Sequence, residues 1–277
     1  MSYARFGLIG LMAFSIRPAL SDDPKPDDAA KQARQQRLDF MKGKLAEFEL
    51  RVEGPSKAPL KLADEPSLRW TNPIRGVHGD GATFFWTEAG RPVAVATVSI
   101  RAEGKVFREF ALLGDRPIGA IRAGQVAWSP RKNAIPFEPL ADAPSPAKSP
   151  SQRLTQLKEQ ARRFRVDILK GNPVEGRLMP QPLLRFAAAD SGVIDGAVFA
   201  FAEATDPEAL LILEARRDDA HPDGVWMFSI ARMTSPQVEF RLGDRLVWTG
   251  LPYWNNPRSK QDSYVEAFEG VYAGKPE

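Results

Sequence analysis

The feature that most constrains this chain is that it repeats itself. Residues 36–70 align without a gap on 152–186, with Gln36/Gln152, Arg37/Arg153, Leu38/Leu154, Lys42/Lys158, Phe48/Phe164, Leu62/Leu178, Pro66/Pro182, Leu68/Leu184 and Arg69/Arg185 identical. The match resumes at 80–101 against 195–216, where nine of 22 positions are identical, among them Asp80/Asp195, Gly81/Gly196, Phe84/Phe199, Glu88/Glu203 and Arg101/Arg216. Self-similarity over about 100 residues implies a unit whose apolar face is finished by its twin. The expected layout is a first copy over 28–138, a stiff linker over 139–150 with four prolines, a second copy over 149–250, and a tail over 251–277.

Each copy opens with an apolar stripe at helical period. Leu38, Met41, Leu45 and Phe48 in the first are matched by Leu154, Leu157, Ala161 and Phe164 in the second. Ser149 before Pro150 has the form of an N-cap followed by proline at the first helical position. Strand patterns follow: Leu50/Val52 and Val166/Ile168 alternate with charge, and longer runs such as 82–87, 92–101 and 106–113 are separated by short Gly- or Pro-containing turns. Short links favour antiparallel neighbours. The expected fold class is therefore α+β: two tandem copies of one helix followed by an antiparallel meander of about five or six strands, packed around a pseudo-two-fold. Phe84-Phe85-Trp86 and Ala209 to Leu213 are apolar on both faces, so the strands they form should be covered twice. In the tail, Tyr264, Val265, Phe268, Val271 and Tyr272 are spaced as on a short helix.

The N-terminus has the form of a secretory signal. Arg5 precedes an uncharged apolar run over 6–16, too short to span a bilayer, and Ala19-Leu20-Ser21 is a small-x-small cleavage site, which puts the signal at 1–21. Arg17 is atypical there, and a short anchor or frayed helix is the alternative. Cleavage would remove Arg5 and Arg17 and lower the net charge from +3 to +1. So small a charge gives no basis for nucleic-acid binding. With no cysteine there is no disulfide, thiolate site or lipid-anchored cysteine. The expected location is the periplasm, envelope or exterior of a bacterium, with no membrane span after cleavage.

Few residues carry chemistry. The two histidines, His78 and His221, lack a partner at metal-ligand spacing, and no nucleophile elbow or Walker loop is present. Gly76 to Gly81 has the look of a phosphate loop but leads into a strand, so it reads as a turn. Asp218, Asp219 and Asp223 crowd one loop and are candidate calcium ligands, although their spacing is not that of an EF-hand. Glu88 and Glu203 hold equivalent strand-end positions, and meeting across the dyad they could serve as acid and base on a glycosidic bond. The simpler reading makes them structural ion pairs, Glu88 with Arg101 and Glu203 with Arg216. Trp70 and Trp128 have aromatic counterparts and read as core, whereas Trp254 lies outside the repeat and is the candidate exposed aromatic.

The pattern Asp80-Gly-x-x-Phe-x-Trp-x-x-x-Gly-Arg-Pro92, with Arg108 to Leu112 and the Arg-rich helix 153–163, resembles an uncharacterised group of secreted bacterial proteins. That resemblance implies export and a two-part layout, and carries no site. The expected role is non-enzymatic: binding, scaffolding or envelope interaction with a protein or glycan, without a cofactor. The alternative is a polysaccharide hydrolase using Glu88 and Glu203.

Overall fold

A computed structural model describes residues 26–54, 58–71, 79–255 and 258–274. The signal segment, Gly76 and His78 lie outside the described residues. Helix α1 spans Pro26–Ala46 and α2 spans Pro150–Ala161. The apolar stripes turn inward: Met41, Leu45, Leu157 and Ala161 are wholly buried. The Ser149 hydroxyl accepts a hydrogen bond from the Gln152 amide at 3.3 Å and so caps α2 ahead of Pro150.

The described residues form eighteen strands. In the first half they are β1 (Phe48–Val52), β2 (Lys61–Leu62), β3 (Leu68–Thr71), β4 (Asp80–Glu88), β5 (Arg91–Ile100), β6 (Lys105–Leu112), β7 (Ile118–Arg122) and β8 (Gln125–Trp128). Strand β9 (Glu138–Pro139) lies in the proline-rich linker. The second half has β10 (Phe164–Lys170), β11 (Asn172–Leu178), β12 (Leu184–Ala188), β13 (Val193–Glu203), β14 (Asp206–Arg216), β15 (Val225–Arg232), β16 (Gln237–Leu242) and β17 (Arg245–Gly250), and the tail forms β18 (Tyr264–Val271).

This architecture corrects the expectation of an α+β fold made of two tandem helix-plus-meander copies around a pseudo-two-fold. Half of the residues lie in strands and 17% are helical, in three sheets that include a half-barrel. A meander pairs each strand with its neighbour in sequence, and these sheets do not. Strand β1 skips its neighbours and pairs with β7, which with β8 makes a separate three-stranded sheet. Strand β10 lies between β11 and β16, so the second half runs as one sheet ordered β17-β16-β10-β11-β13-β14-β15-β9, with β12 also on β13. The third sheet runs β18-β6-β5-β4-β2, with β3 also on β4. Alternation along the chain marks a strand but carries no information about which distant edge will accept its hydrogen bonds, so the pairing of β1 with β7 and of β10 with β16 is not written in it. The helix expected in the tail is also a strand. It pairs with β6 from Tyr264↔Ala111 to Val271↔Lys105 and covers an edge that would otherwise leave backbone groups unpaired.

Three apolar clusters hold these layers. Phe84 and Trp86 face the cluster beneath α1, while Phe199 and Phe201 face its counterpart beneath α2. Residues on the opposite faces of the same strands form a third cluster between the two large sheets: Phe85, Val95 and Ala111 from one, Val198, Ala200, Leu210 and Ile212 from the other. Each fully buried aromatic or aliphatic side chain contributes roughly 1.5–3 kcal/mol. The long strands β4, β5, β13 and β14 are thus apolar on both faces because both faces are covered. Among the described residues, no helix is long and apolar enough to cross a membrane.

Candidate functional site

The carboxylates singled out from sequence are not brought together. Glu88 ends β4 and faces Arg91 across the β4–β5 turn, where Ala89 (φ 46°) and Gly90 (φ 85°) make a two-residue link. Its carboxylate is paired with Arg116. Glu203 ends β13 and is paired with Lys170. Arg101 lies one strand length from Glu88, and Arg216 one strand length from Glu203, because a hairpin places a turn-flanking residue beside the start of the return strand and not beside its end. Arg101 instead meets Glu266 at 3.0 Å, and Arg216 meets Glu214 at 2.5 Å. Asp218 accepts from the His221 amide at 2.7 Å and contacts its Nδ1 at 2.8 Å. Among the described residues no three acidic or histidine side chains converge to hold a metal, Asp218, Asp219 and Asp223 included. Trp254 is 49% exposed and is stacked by Arg258 at 4.6 Å. Trp128 is fully buried and Trp70 nearly so.

Three of the aligned identities converge in space. The Asp80 carboxylate accepts from Arg37 Nε at 2.8 Å and from Arg69 at 2.7 and 3.1 Å. Asp195 accepts from Arg153 Nε at 2.9 Å and from Arg185 at 2.7 and 3.0 Å. In each case the helix supplies one arginine, the short strand the other, and the start of the long strand the aspartate. The knot pins helix to sheet, and its geometry is structural: both carboxylate oxygens accept hydrogen bonds from arginine. Beside each knot an aromatic lies on a glycine. A Cβ on Gly81 would come within 2.3 Å of the Trp70 ring, and one on Gly196 within 2.6 Å of Phe186.

The chemistry lies between the sheets. Strands β5 and β14 run in opposite senses across the layer, so each end of the interface joins the start of one to the end of the other. At one end, a cleft of about 530 Å³ is lined by Glu88, Arg91, Asp115, Arg116 and Arg216. Arg91 pairs with Glu214 at 2.8 Å and Asp115 at 3.3 Å, and Arg216 joins both, so this end is closed on itself in ion pairs. At the other end Asp206 opens β14 as Arg91 opens β5. A cleft of about 330 Å³ there is lined by Trp70, Arg101, Glu109, Lys170, Asp206, Glu208, Met233 and Glu266. Among the described residues four carboxyl groups line it with Lys170, which is paired with Glu203, and Arg101, which is paired with Glu266.

Glu109 and Glu266 are register partners on β6 and β18, directly opposite one another. Like charges in that arrangement repel. Glu109 is only half-buried, with part of its surface on the cleft, but the protein packed around its carboxyl group strips water from it. That desolvation, with Glu266 adding repulsion, pushes its pKa up to about 8. Glu109 is therefore a neutral acid at pH 7 and accepts a 2.5 Å hydrogen bond from the Tyr264 hydroxyl. Burial, and then the two glutamates, hold Tyr264 well above its ordinary ionisation range. Glu266 is nine-tenths buried; Arg101 satisfies one of its oxygens, and Oε2 has no hydrogen-bond partner. The Trp70 indole nitrogen is also buried without a partner. Arg232 fixes the cleft's outer wall by donating to the carbonyls of Thr234, Ser235, Pro236 and Leu251 at 2.6–2.9 Å, with its guanidinium 5.1 Å from the Tyr264 ring.

Sequence reasoning missed Glu109, Glu208 and Glu266. The first two did leave a signal: each is a carboxylate inside an apolar strand, in Arg108-Glu-Phe-Ala-Leu112 and Pro207-Glu-Ala-Leu-Leu211. Glu266 was hidden by the helical reading of the tail. Compared with protein-family models, curated proteins and solved structures, the chain matches none, so the resemblance to secreted bacterial proteins rests on the residues quoted for it.

Proposed function

We propose that this is an exported, non-enzymatic binding protein whose small polar ligand occupies the 330 Å³ cleft at the Arg101 end of β5. One observation carries the reading: Glu266, a residue of that cleft's wall, is a buried carboxylate whose Oε2 has no hydrogen-bond partner. An unmet buried polar atom costs about 1–3 kcal/mol, which a bound ligand would recover. The volume lies at the lower end of the range for small-molecule sites. Glu88 and Glu203 lie at opposite ends of the layer interface, on the order of 30 Å apart for a ten-residue strand. Paired carboxylates acting on one glycosidic bond need about 5–10 Å, so those two do not support hydrolysis.

Thermal-shift screening of the purified protein against a panel of amines, carboxylic acids and sugars tests the reading. At least one compound should raise Tm in a dose-dependent manner. That shift should vanish in Glu266→Gln and persist in Glu88→Gln. A shift equally strong in Glu266→Gln, or none across the panel, overturns it. Export is tested on the full-length chain in a bacterial host: a mature N-terminus at Asp22 supports it, and retention of Met1 in the cytoplasm refutes it.

A further inference from the structure

Two hairpins of the protein are built alike. In β7–β8 Ala120 faces Trp128, and in β16–β17 Phe240 faces Trp248; each pairing then shifts register by one residue and ends at a two-residue turn, beside Arg122↔Gln125 and Leu242↔Arg245. Strands β8 and β17 are each the last in their sheet. A last strand leaves backbone donors and acceptors unpaired along its outer side. On β8 a polar turn of the chain meets them. Residues 259–262 form that turn, closed by the Asp262 amide donating to the Ser259 carbonyl at 3.1 Å. The Asp262 carbonyl accepts from Trp128 Nε1 at 2.8 Å, and the Lys260 carbonyl accepts from the Ser129 amide at 2.7 Å. Lys260 Nζ donates to the Val126 carbonyl at 2.7 Å.

The matching groups on β17 are the Trp248 indole nitrogen, the Thr249 amide and the Leu246 carbonyl. Among the described residues none of the three has a partner outside its own hairpin. Trp248 and Thr249 instead wall a cleft of about 400 Å³ together with Leu251, Lys132 and Asn133. Trp128 is fully buried, whereas Trp248 is half-buried, its ring held over Gly250, where a Cβ would come within 2.4 Å of it. Connector length separates the two hairpins. Residues 249–263, which lead from Trp248 to β18, are long enough to lay their turn on β8; the shorter run 129–137, from Trp128 to β9, contributes only to the wall of the cleft. We propose that the β17 edge at Trp248 is a docking site for a polar β-turn of a partner protein. The turn's second and fourth carbonyls would accept from the Thr249 amide and the Trp248 indole, and a lysine at its second position would donate to the Leu246 carbonyl. The occupant follows from the hairpin that is covered, where the same three groups in the same register take Ser259-Lys-Gln-Asp262. That turn braces itself: the Ser259 amide donates to the Asp262 carboxylate at 2.9 Å, and the Gln261 amide to the Ser259 hydroxyl at 3.0 Å. A segment ordered in advance loses less entropy on docking. Leu246 and Leu251, both exposed, flank Trp248 and would be covered. The site shares no lining residue with the 330 Å³ cleft and does not depend on it.

The probe is a peptide of the sequence 258–264, Arg-Ser-Lys-Gln-Asp-Ser-Tyr, cyclised head to tail to hold the turn and added to the full chain in isothermal titration. Saturable binding is expected. It should weaken about fivefold in Trp248→Phe, which keeps a ring and loses one hydrogen-bond donor. It should weaken at least tenfold in Thr249→Pro, which removes the amide at an edge position where proline is tolerated, and stay unchanged in Glu88→Gln. A peptide with norleucine in place of lysine should bind several-fold more weakly. If Thr249→Pro fails to fold, Trp248→Phe decides alone. Binding that is lost in Trp128→Phe and kept in Trp248→Phe shows the peptide displacing the chain's own turn from β8, and overturns the proposal. Trp248-dependent binding of cellobiose in place of the peptide makes the cleft a sugar site and overturns it too. Self-association in analytical ultracentrifugation that Trp248→Phe abolishes gives the edge to a second copy of this chain, against a separate partner. Absence of peptide binding overturns the proposal outright. None of these outcomes alters the thermal-shift test of the 330 Å³ cleft.

Discussion

Replacing Glu109 with glutamine isolates the energetic cost of burying an acid between the sheets. In the unfolded chain Glu109 ionises near 4.5, and in the folded protein at about 8. The unfolded state therefore loses its proton first as pH rises. The stability contributed by the protonated form is complete below about 4.5, declines through the interval, and is gone above about 8. At 1.36 kcal/mol per unit, the folded protein gives up roughly 3 kcal/mol by pH 7 and at most about 5 by pH 9. Because Glu109 opens partly onto the cleft, water there reduces the full figure to about 3 kcal/mol. Glutamine keeps the shape and the acceptor for Tyr264 without a charge to suppress. Urea unfolding of both proteins, followed by tryptophan fluorescence, measures the difference directly, and every other titrating group cancels. The variant should match the natural protein at pH 4.5 and exceed it by about 3 kcal/mol at pH 8.5. A difference constant to within about 1 kcal/mol across that range would refute the reasoning.

Two further measurements address the fold. Asp80→Asn and Asp195→Asn each leave two arginines around a neutral group, and each should lower stability by about 3 kcal/mol in urea titrations. Gly81→Ala and Gly196→Ala push a methyl into the Trp70 and Phe186 rings and should each cost about 2 kcal/mol, whereas Gly119→Ala on β7, with open space at its Cβ, should lie within about 0.5 kcal/mol of the natural protein; equal effects at all three glycines would count against the ring-on-glycine packing.

Local periodicity was legible in the sequence because it is written along the chain. The stripe through Met41 and Leu45, the Ser149-Pro150 start of α2, and the doubly apolar strands at Phe84–Trp86 and Ala209–Leu213 are readable from near neighbours, and each is found as expected. The equivalent arginines and aspartates of the two knots stood out as identities, but their convergence did not, since a match in alignment carries no distance. The tail shows the limit. Its spacing of Tyr264, Val265, Phe268 and Val271 suits a helix, yet Phe268 and Val271 are 58% and 62% exposed, while Tyr264 and Glu266 alternate inward. The free edge of β6 decided that segment, and this edge lies more than 150 residues away.

The same reason divides the candidate site. Sequence alone determined where helices and strands begin, which faces are apolar, and which charged residues recur. Tertiary structure alone decided that Glu109, Glu208 and Glu266, from three distant strands, would line one cleft, and that Glu88 and Glu203 would lie at opposite ends of the interface between the sheets. Local conformation follows from residues three or four apart along the chain. The charge state of a carboxyl group follows from whatever the fold packs against it, which no local pattern encodes.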